Sequence, residues 1–186
     1  MVVRELGSRH NVGSAAVRRL AGRTNSGAFR THRASALVNE LRLGMSSDGS
    51  PGIRVVLAVP TVFMNESGGP VSALLKYYST DLDHLVVVHD ELDLPFGLVR
   101  VKRGGGEGGH NGVRSVTRSL DSRDFLRIRV GIGRPPGRMD PADFVLRDFS
   151  ASEREHLPLA VDKAADAVES LVDSGLLATQ QRFHAP

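Results

Sequence analysis

The amino-acid sequence predicts an α/β fold in a single domain, with a twisted β-sheet flanked by helices. Strand-like segments rich in valine, isoleucine and leucine alternate along the chain with segments of helical periodicity, and this alternation is typical of a sheet covered by helices. The chain has 186 residues, a length that suits one domain with a sizeable core. Since no repeat, linker or low-complexity segment divides it, we expect one domain over residues 1–186.

The first half of the chain contains two predicted helices and two predicted strands. In chain order these are a short helix at 11–22, a polar and basic loop at 23–33, strands at 36–43 and 53–60 around a turn at 46–52, and an amphipathic helix at 68–79. Gly22 is expected to end the first helix, because glycine favours the backbone conformation that follows a helix. Pro60 is expected to end the second strand, because proline has no backbone N–H for a neighbouring strand.

The second half continues the alternation. In order it contains a buried strand at 84–91, a segment at 97–103 that leads into a glycine-rich loop, a helix after that loop, a strand at 125–133, a turn at 135–138, a long helix at 151–174 and a short final helix. In the strand before the turn, Leu126, Ile128 and Val130 alternate with Arg127 and Arg129. This period of two places the apolar side chains on one face of the sheet and the arginines on the other.

Composition excludes several classes of site. The chain has no cysteine, which excludes disulfides and thiolate metal sites and fits a reducing cytoplasm. No apolar run approaches the roughly 20 residues of a membrane helix, and the N-terminus lacks a signal-peptide segment, so we expect a cytoplasmic protein without a membrane partner. The net charge of +3 is compatible with RNA as a partner but does not identify one.

The stretch GGGEGGHNG at residues 104–112 is the most informative part of the sequence. Its glycines let the backbone approach a ligand and take positive φ angles without Cβ clashes. Apolar residues at helical spacing follow, so the loop is expected to open a helix whose positive end suits an anion. The loop contains the pattern G-x-G-x-x-G, but it lies past the middle of the chain and no acid ends the next strand, which argues against a dinucleotide site.

Polar side chains follow the predicted strands and the loop at positions that meet at one edge of a sheet. Asp90 ends one strand, Asn65 follows another, Asn111 ends the glycine loop, and His10 precedes the first helix. Ligands of open α/β sheets bind beyond the carboxyl ends of strands, so these residues predict a site with one imidazole, one carboxylate and two amides. The ordinary alternatives are a helix cap or surface turn for His10 and Asp90, and turn amides for the asparagines.

Other kinds of catalytic centre have less support. His89, Asp90, Glu91 and Asp93 are close in sequence, but adjacent strand residues point to opposite faces, so they are poor ligands for one metal and we expect no metal. No Gly-x-Ser-x-Gly motif supports a serine nucleophile.

Basic residues surround the glycine loop. Arg100 and Lys102 share one face of a strand, and Arg129 follows the loop. This pattern suits either a stripe that binds phosphates or the ordinary solvated charge of a sheet edge.

Several motifs together resemble those of bacterial-type peptidyl-tRNA hydrolases. They are SRHNVG at 8–13, FMNESG at 63–68, HDELDLPFG at 89–97, GGGEGGHNGVRS at 104–115 and RIRVGIGRP at 127–135, and the tail RFHA at 182–185 is also similar. The resemblance covers about residues 8 to 185. It implies a single-domain α/β fold with a mixed sheet. It also implies hydrolysis, without a cofactor, of the ester that joins a peptide to the terminal ribose of tRNA.

The resemblance assigns a role to each residue of the site. His10 matches the family's base, which activates the attacking water, and Asp90 matches the acid that orients its imidazole. The residues that match substrate-binding positions are Asn65, Asn111, Met64 and His110, and those that match contacts to tRNA phosphates are Arg100, Lys102 and Arg129. The implied partner is peptidyl-tRNA, and the implied enzyme is a monomer in the cytoplasm.

The start of the sequence departs from the family pattern. The family begins with a buried strand, a Gly-Asn-Pro-Gly turn and a tyrosine before the RHN motif, whereas residues 1–7 stand there in this sequence. We expect residues 1–6 to supply a substitute strand, or the fold to be weakened. Three interpretations are open: a misassigned start, a divergent paralog of low activity, and a non-catalytic protein that binds RNA on the same scaffold.

Overall fold

The computed structural model describes residues 8–24, 26–45 and 49–184. In these residues the chain forms, in order, α1 Val12–Arg23, β1 Arg30–His32, β2 Ala36–Met45, β3 Pro51–Pro60, α2 Gly68–Tyr77, β4 Val86–Glu91, β5 Val99–Arg103, α3 Asn111–Leu120, β6 Leu126–Gly131, α4 Pro141–Leu146 and α5 Ala151–His184. Short 3₁₀ turns occupy Arg9–Asn11, Met64–Glu66 and Leu82–His84. The predicted α/β class is confirmed.

The described strands form two three-stranded sheets. In the first sheet β2 lies between β1 and β3, and both pairs are antiparallel. In the second sheet β6 lies between β4 and β5, parallel to β4 and antiparallel to β5. The second sheet is therefore mixed, as the resemblance implied, and its strand β4 ends in Asp90 and Glu91.

Helices α1 and α5 connect the two sheets by packing on both of them. One hydrophobic cluster contains Leu41 and Leu57 from the first sheet, Ile128 and Val130 from the second, and Leu20 from α1. The alternation predicted for β6 is present in the pairing register: Ile128 and Val130 pair with apolar residues of β5 and lie in this cluster, whereas Arg127 and Arg129 pair with Lys102 and Arg100. Aliphatic packing thus holds both sheets in one core.

Two elements were not predicted from the sequence. The segment at 23–33 was expected to be a loop, but β1 lies within it and pairs antiparallel with β2. Its three residues are polar and lie at the edge of the sheet, so cross-strand hydrogen bonds define the strand without any hydrophobic pattern. Helix α4 has six residues, too few for a periodic signal, and begins with an Asp140 cap and Pro141.

The C-terminal helix has the predicted break. Gly175 has a φ angle of 75° and separates the helix predicted at 151–174 from a final short helix. The hydroxyls of Ser170 and Thr179 join the two parts across the break over 2.9 Å. No helix in the described part of the chain has both the length and the apolar character needed to cross a membrane. The strand expected within residues 1–6 lies outside the described residues.

Candidate active site

His10 and Asp90 meet at the carboxyl end of β4. His10 Nδ1 lies 2.8 Å from Asp90 Oδ1, and the side chains are 12% and 3% exposed. The strand ends and the family resemblance both predicted that these two side chains meet in one site, and the distance agrees with this. Since an ionised carboxylate can only accept, Nδ1 carries the ring hydrogen and Nε2 is the basic nitrogen of His10.

Gly13 permits this contact. It lies in the first turn of α1 against β4, and a Cβ atom built on it would stand 2.2 Å from the carbonyl oxygen of Val88. A larger residue would therefore push α1 away from the strand. The 3₁₀ turn that carries His10 directly precedes α1, so the close packing of helix on strand brings His10 to the end of β4.

Asp90 accepts hydrogen bonds from two imidazoles at one oxygen atom. His110 Nε2 lies 3.0 Å from the same Oδ1 that His10 contacts. Burial alone would raise the pKa of Asp90, but the hydrogen bonds from His10 and His110 outweigh burial and hold the pKa well below its ordinary value. The carboxylate is therefore ionised and orients both rings.

His110 uses its other ring nitrogen to cap α3. The backbone N–H groups of Gly112 and Val113 donate to His110 Nδ1 over 3.1 and 3.2 Å. The His110 ring also packs beside the ring of His10, with 4.7 Å between their centroids. The glycine loop thus opens a helix, as predicted, and its His110 joins the N-terminus of that helix to Asp90.

The same three residues are a group in the described chain with the geometry of a metal site. The ligand atoms of His10, Asp90 and His110 lie within 4.8 Å of one another. However, His110 Nδ1 already accepts two backbone N–H groups, so Nε2 bears the ring hydrogen. A metal ion at Nε2 would have to displace that hydrogen and break the helix cap, so the donor set fits a hydrogen-bonded dyad better than a metal centre.

Met64 reaches the site from the loop after β3. A Cβ atom on Gly112 would stand 2.5 Å from Met64 Sδ, so the turn that carries Met64 packs on the first turn of α3. The loop is also fastened at Gly68, whose N–H donates to the buried hydroxyl of Ser115 over 3.0 Å. The motifs FMNESG and GGGEGGHNG are therefore neighbours in space.

Asn65 and Asn111 lie on the exposed side of this contact. Asn65 follows Met64, and Asn111 follows His110. Asn111 Oδ1 accepts a long hydrogen bond of 3.4 Å from Arg114. Within the described residues neither amide hydrogen-bonds to the dyad, so both amides are available to an external ligand at the rim of the site.

His89 lies beside the dyad, and no catalytic or binding role was predicted for it. Its Nδ1 lies 2.7 Å from the backbone oxygen of Asp90, and its ring packs edge-on against His110 at 5.0 Å. Burial, and then the neighbouring His110, lower the pKa of His89 to about 3. The ring is therefore neutral at physiological pH and forms an uncharged wall behind His110.

Arg9 is a second residue whose role was not predicted. It is buried, and its guanidinium contacts Glu153 over 2.6 Å and the backbone oxygen of Asp148 over 2.6 Å. Glu153 also forms a capping box with Ser150 at the start of α5. Arg9 thus fixes the turn that holds His10 against the start of α5, and the Ser-x-x-Glu spacing was the sequence signal for its partner.

The second sheet places the predicted basic residues on one face. Arg100 lies opposite Arg129, and Lys102 lies opposite Arg127. Within the described residues Lys102 has no ion-pair partner, and burial followed by the charges of Arg129 and Arg127 lowers its pKa.

The other two predicted phosphate contacts have partners inside the protein. Arg129 Nε donates to the buried carboxylate of Glu91 over 2.9 Å. Arg100 donates to the backbone carbonyl of Phe183 near the end of α5. Lys102 is therefore the most available of the three cations.

Arg127 has a structural role in the glycine loop. It is fully buried and donates to the carbonyl oxygens of Gly106 and Gly105 over 2.8 and 3.0 Å. Its guanidinium lies over the ring of Phe125 at 4.6 Å. These contacts fix the loop between β5 and α3, so Arg127 supports the position of His110 from behind.

Comparisons with known proteins agree with the resemblance. The family model described as "Peptidyl-tRNA hydrolase" matches residues 5–186. The chain is 61% identical over 179 residues to a peptidyl-tRNA hydrolase of Kineococcus radiotolerans, covering 96% of this chain and 90% of that protein. It is 56% identical over 178 residues to that of Pseudarthrobacter chlorophenolicus, covering 96% and 88%.

A solved structure has the same fold. The crystal structure of peptidyl-tRNA hydrolase from Acinetobacter baumannii superposes with a TM-score of 0.84 at 29% identity, covering 99% of this chain and 90% of that one. The matching motifs, the convergence of His10 and Asp90, and the family match over nearly the whole sequence lead to one conclusion: this chain belongs to the peptidyl-tRNA hydrolase family.

Proposed function

We propose that this chain hydrolyses the ester bond between a peptide and the terminal ribose of tRNA, releasing free tRNA. The observation that carries the proposal is the dyad of His10 and Asp90, in which Nδ1 is engaged by the carboxylate at 2.8 Å. Curated relatives that are 56–61% identical carry the name of this activity. The dyad supplies the base that ester hydrolysis by water requires.

In the proposed reaction His10 acts first as a base and then as an acid. Nε2 takes a proton from a water molecule while the water oxygen attacks the ester carbonyl carbon. The tetrahedral intermediate then collapses, the bond to the ribose oxygen breaks, and the imidazolium returns its proton to that oxygen. Asp90 stabilises the imidazolium without taking its proton, which agrees with the lowered pKa of the carboxyl.

The remaining site residues are proposed to hold the substrate. The exposed amides of Asn65 and Asn111 would hold the water and the peptide end, and Met64 and His110 would line the site. An amide donor near the developing oxyanion contributes roughly 3 kcal/mol to the transition state. The exposed positions of both asparagines support this role, because among the described residues neither amide hydrogen-bonds to His10 or Asp90.

The tRNA is proposed to lie across the basic face of the second sheet. Lys102, Arg129 and Arg100 would contact its phosphates. Lys102 would contribute most, because among the described residues its ammonium has neither an ion pair nor a hydrogen bond, whereas both arginines have internal partners. We further propose a single domain, a monomer and a cytoplasmic location, with no cofactor. The core shared by the two sheets supports the single domain, and the absence of cysteine fits the reducing conditions of the cytoplasm.

The test is release of free tRNA from an N-blocked aminoacyl-tRNA by the purified protein. The wild type is expected to accelerate release, and His10→Ala is expected to reduce the rate by a factor of about 10² to 10⁴, because the base is lost. His84→Ala, at an exposed histidine outside the site, is the control and is expected to match the wild type.

Two outcomes would contradict the proposal. Equal rates for His10→Ala and the wild type would remove His10 from the reaction. Tight binding of tRNA by the wild type without any turnover would favour the non-catalytic, RNA-binding interpretation.

A further inference from the structure

We propose that His110 is a positioning residue: helix α3 holds it in one neutral tautomer, and through Asp90 it sets how strongly the dyad holds a protonated His10. This inference rests on the proposed function and deepens it. His110 lies in the glycine loop, which the family resemblance connects with substrate alone. The structure assigns it a second task, because its two ring nitrogens face two different parts of the site.

The tautomer of His110 follows from the cap. Nδ1 accepts from the backbone N–H groups of Gly112 and Val113, so it carries a lone pair and no hydrogen. Nε2 must then carry the hydrogen, and it donates to Asp90 Oδ1 over 3.0 Å. Protonation at Nδ1 would break both cap bonds and place a positive charge at the positive end of a ten-residue helix.

The fixed donor acts on His10 through a shared atom. His10 Nδ1 and His110 Nε2 both contact Asp90 Oδ1, at 2.8 and 3.0 Å. The hydrogen bond from His110 offsets part of the negative charge on that oxygen, which weakens its attraction for a protonated His10. His110 therefore weakens the hold of Asp90 on the imidazolium of His10, which has to give up its proton in the proposed reaction.

Few other charges face the His110 ring within the described residues. From β4 the ring meets Asp90 and the edge of His89, and from the turn before α1 it meets the ring of His10. His89 is neutral near pH 7 because burial, followed by His110, lowers its pKa. On α3 itself, Arg114 is exposed and donates to Asn111. The hydrogen bond to Asp90 is thus the main electrostatic contact of His110.

Two substitutions separate the cap from the donor. In His110→Asn the side-chain oxygen can occupy the place of Nδ1 and cap α3, but the shorter side chain has no donor that reaches Asp90. In His110→Gln the amide nitrogen can occupy the place of Nε2 and donate to Asp90, but glutamine is a poor helix cap. His110→Ala removes both contacts. The four proteins therefore form a complete set of cap and donor combinations.

The kinetic test is the pH dependence of kcat/KM for release of tRNA from an N-blocked aminoacyl-tRNA. We expect the acid limb to move to higher pH by roughly 1 pH unit in His110→Asn, because Asp90 then holds protonated His10 more strongly. His110→Gln is expected to keep the limb at the wild-type position while losing thermal stability. An unmoved limb in His110→Asn, or an equal shift in both variants, would overturn the inference.

The tautomer is tested without turnover, by correlating the ring nitrogens with the ring protons in ¹⁵N-labelled protein. We expect His110 to show an unprotonated Nδ1 and a protonated Nε2 from pH 6.5 to 8.5. A protonated Nδ1 anywhere in this range would contradict the inference. If the wild type shows the expected tautomer but hydrolyses no ester, the proposed function fails while the locked tautomer stands, so the two failures are distinguishable.

Discussion

Asp90 places one oxygen atom between two rings with different tasks. His10 contacts Asp90 through Nδ1 and uses Nε2 as the base in the proposed reaction, whereas His110 uses both nitrogens for contacts inside the protein. Both rings are short of solvent, so the hydrogen bonds are stronger than they would be in water. At the scale of single residues, the site depends on which nitrogen carries each hydrogen, and the geometry around Asp90 fixes that for both rings.

The buried His89 predicts how stability depends on pH. Its pKa is about 3 in the folded chain, against an ordinary value of 6.5. Between these values the unfolded chain binds a proton at His89 that the folded chain does not bind. The free energy of unfolding is therefore unaffected by His89 above about pH 6.5. It decreases as the pH falls towards 3, by up to about 1.4 kcal/mol per pH unit.

We expect His89→Asn to reduce this loss. Between pH 6.5 and 4.5 the free energy of unfolding, measured in urea, is expected to fall by about 2 kcal/mol more in the wild type than in His89→Asn. His84→Asn, at an exposed histidine, is the control and is expected to follow the wild type. The same decrease in all three proteins would contradict a neutral, buried His89.

The site residues could be predicted from the sequence only where the signal lies within one short segment, such as a strand end or a motif. His10, Asp90, Asn65 and Asn111 follow or precede strong element boundaries, so their convergence was predictable from strand ends and motifs. The double use of Asp90 Oδ1 and the helix cap by His110 depend on distances between elements, and no spacing in the sequence encodes them. The same limit applies to Arg127, whose predicted position opposite the core face gave no sign that it would be buried.

At the scale of elements, the glycine loop is held by an arginine rather than by its own hydrogen bonds alone. Arg127 on β6 donates to the carbonyls of Gly105 and Gly106. At the surface, Arg123 Nε donates to the carboxylate of Glu107 over 2.8 Å. A loop rich in glycine has a large conformational entropy to lose. The buried donor therefore keeps the start of α3, and with it His110, in one place.

Removing this donor is expected to loosen the loop. In Arg127→Met we expect amide hydrogen exchange of residues 104–109 to become about tenfold faster, because two hydrogen bonds to the loop are lost. Arg123→Met loses an exposed ion pair to Glu107 and is the matched control, with a much smaller effect expected. Unchanged exchange in Arg127→Met would show that the loop is fixed by other contacts.

The elements themselves were predicted where apolar periodicity was strong. The strands at 36–43, 53–60, 84–91 and 125–133 and the break before the final helix all have counterparts in the structure. β1 and α4 were missed because the first is a polar edge strand of three residues and the second has six. Pairing with β2 defines β1, and such a contact has no signature within the segment itself.

At the scale of the whole molecule, the second sheet has two unlike faces. One face carries Val101, Ile128 and Val130 into the shared core, and the other carries Arg100, Lys102 and Arg129. This arrangement predicts that binding to tRNA depends on salt.

Single substitutions are expected to rank the three cations. Lys102→Gln should weaken tRNA binding and reduce the slope of log affinity against log salt by about 1, the value for one phosphate contact. Arg129→Gln should have the smallest effect, because its guanidinium is already paired with the carboxylate of Glu91. Lys76→Gln, at an exposed position of α2, is the control. If Lys76→Gln weakened tRNA binding as much as Lys102→Gln, the tRNA surface would lie elsewhere.

The central claim is that His10 and Asp90 act as one unit in ester hydrolysis, and a double-mutant cycle tests it most directly. The rates of tRNA release are compared for His10→Ala, Asp90→Asn and the double variant, each confirmed to be folded. Asp90→Asn keeps the shape but favours the wrong tautomer of His10. We expect each single change to slow hydrolysis by a factor of about 10² to 10⁴, and the double variant to be no slower than the slower single variant. Rates that fall by the product of the two single effects, or a fully active Asp90→Asn, would contradict the claim.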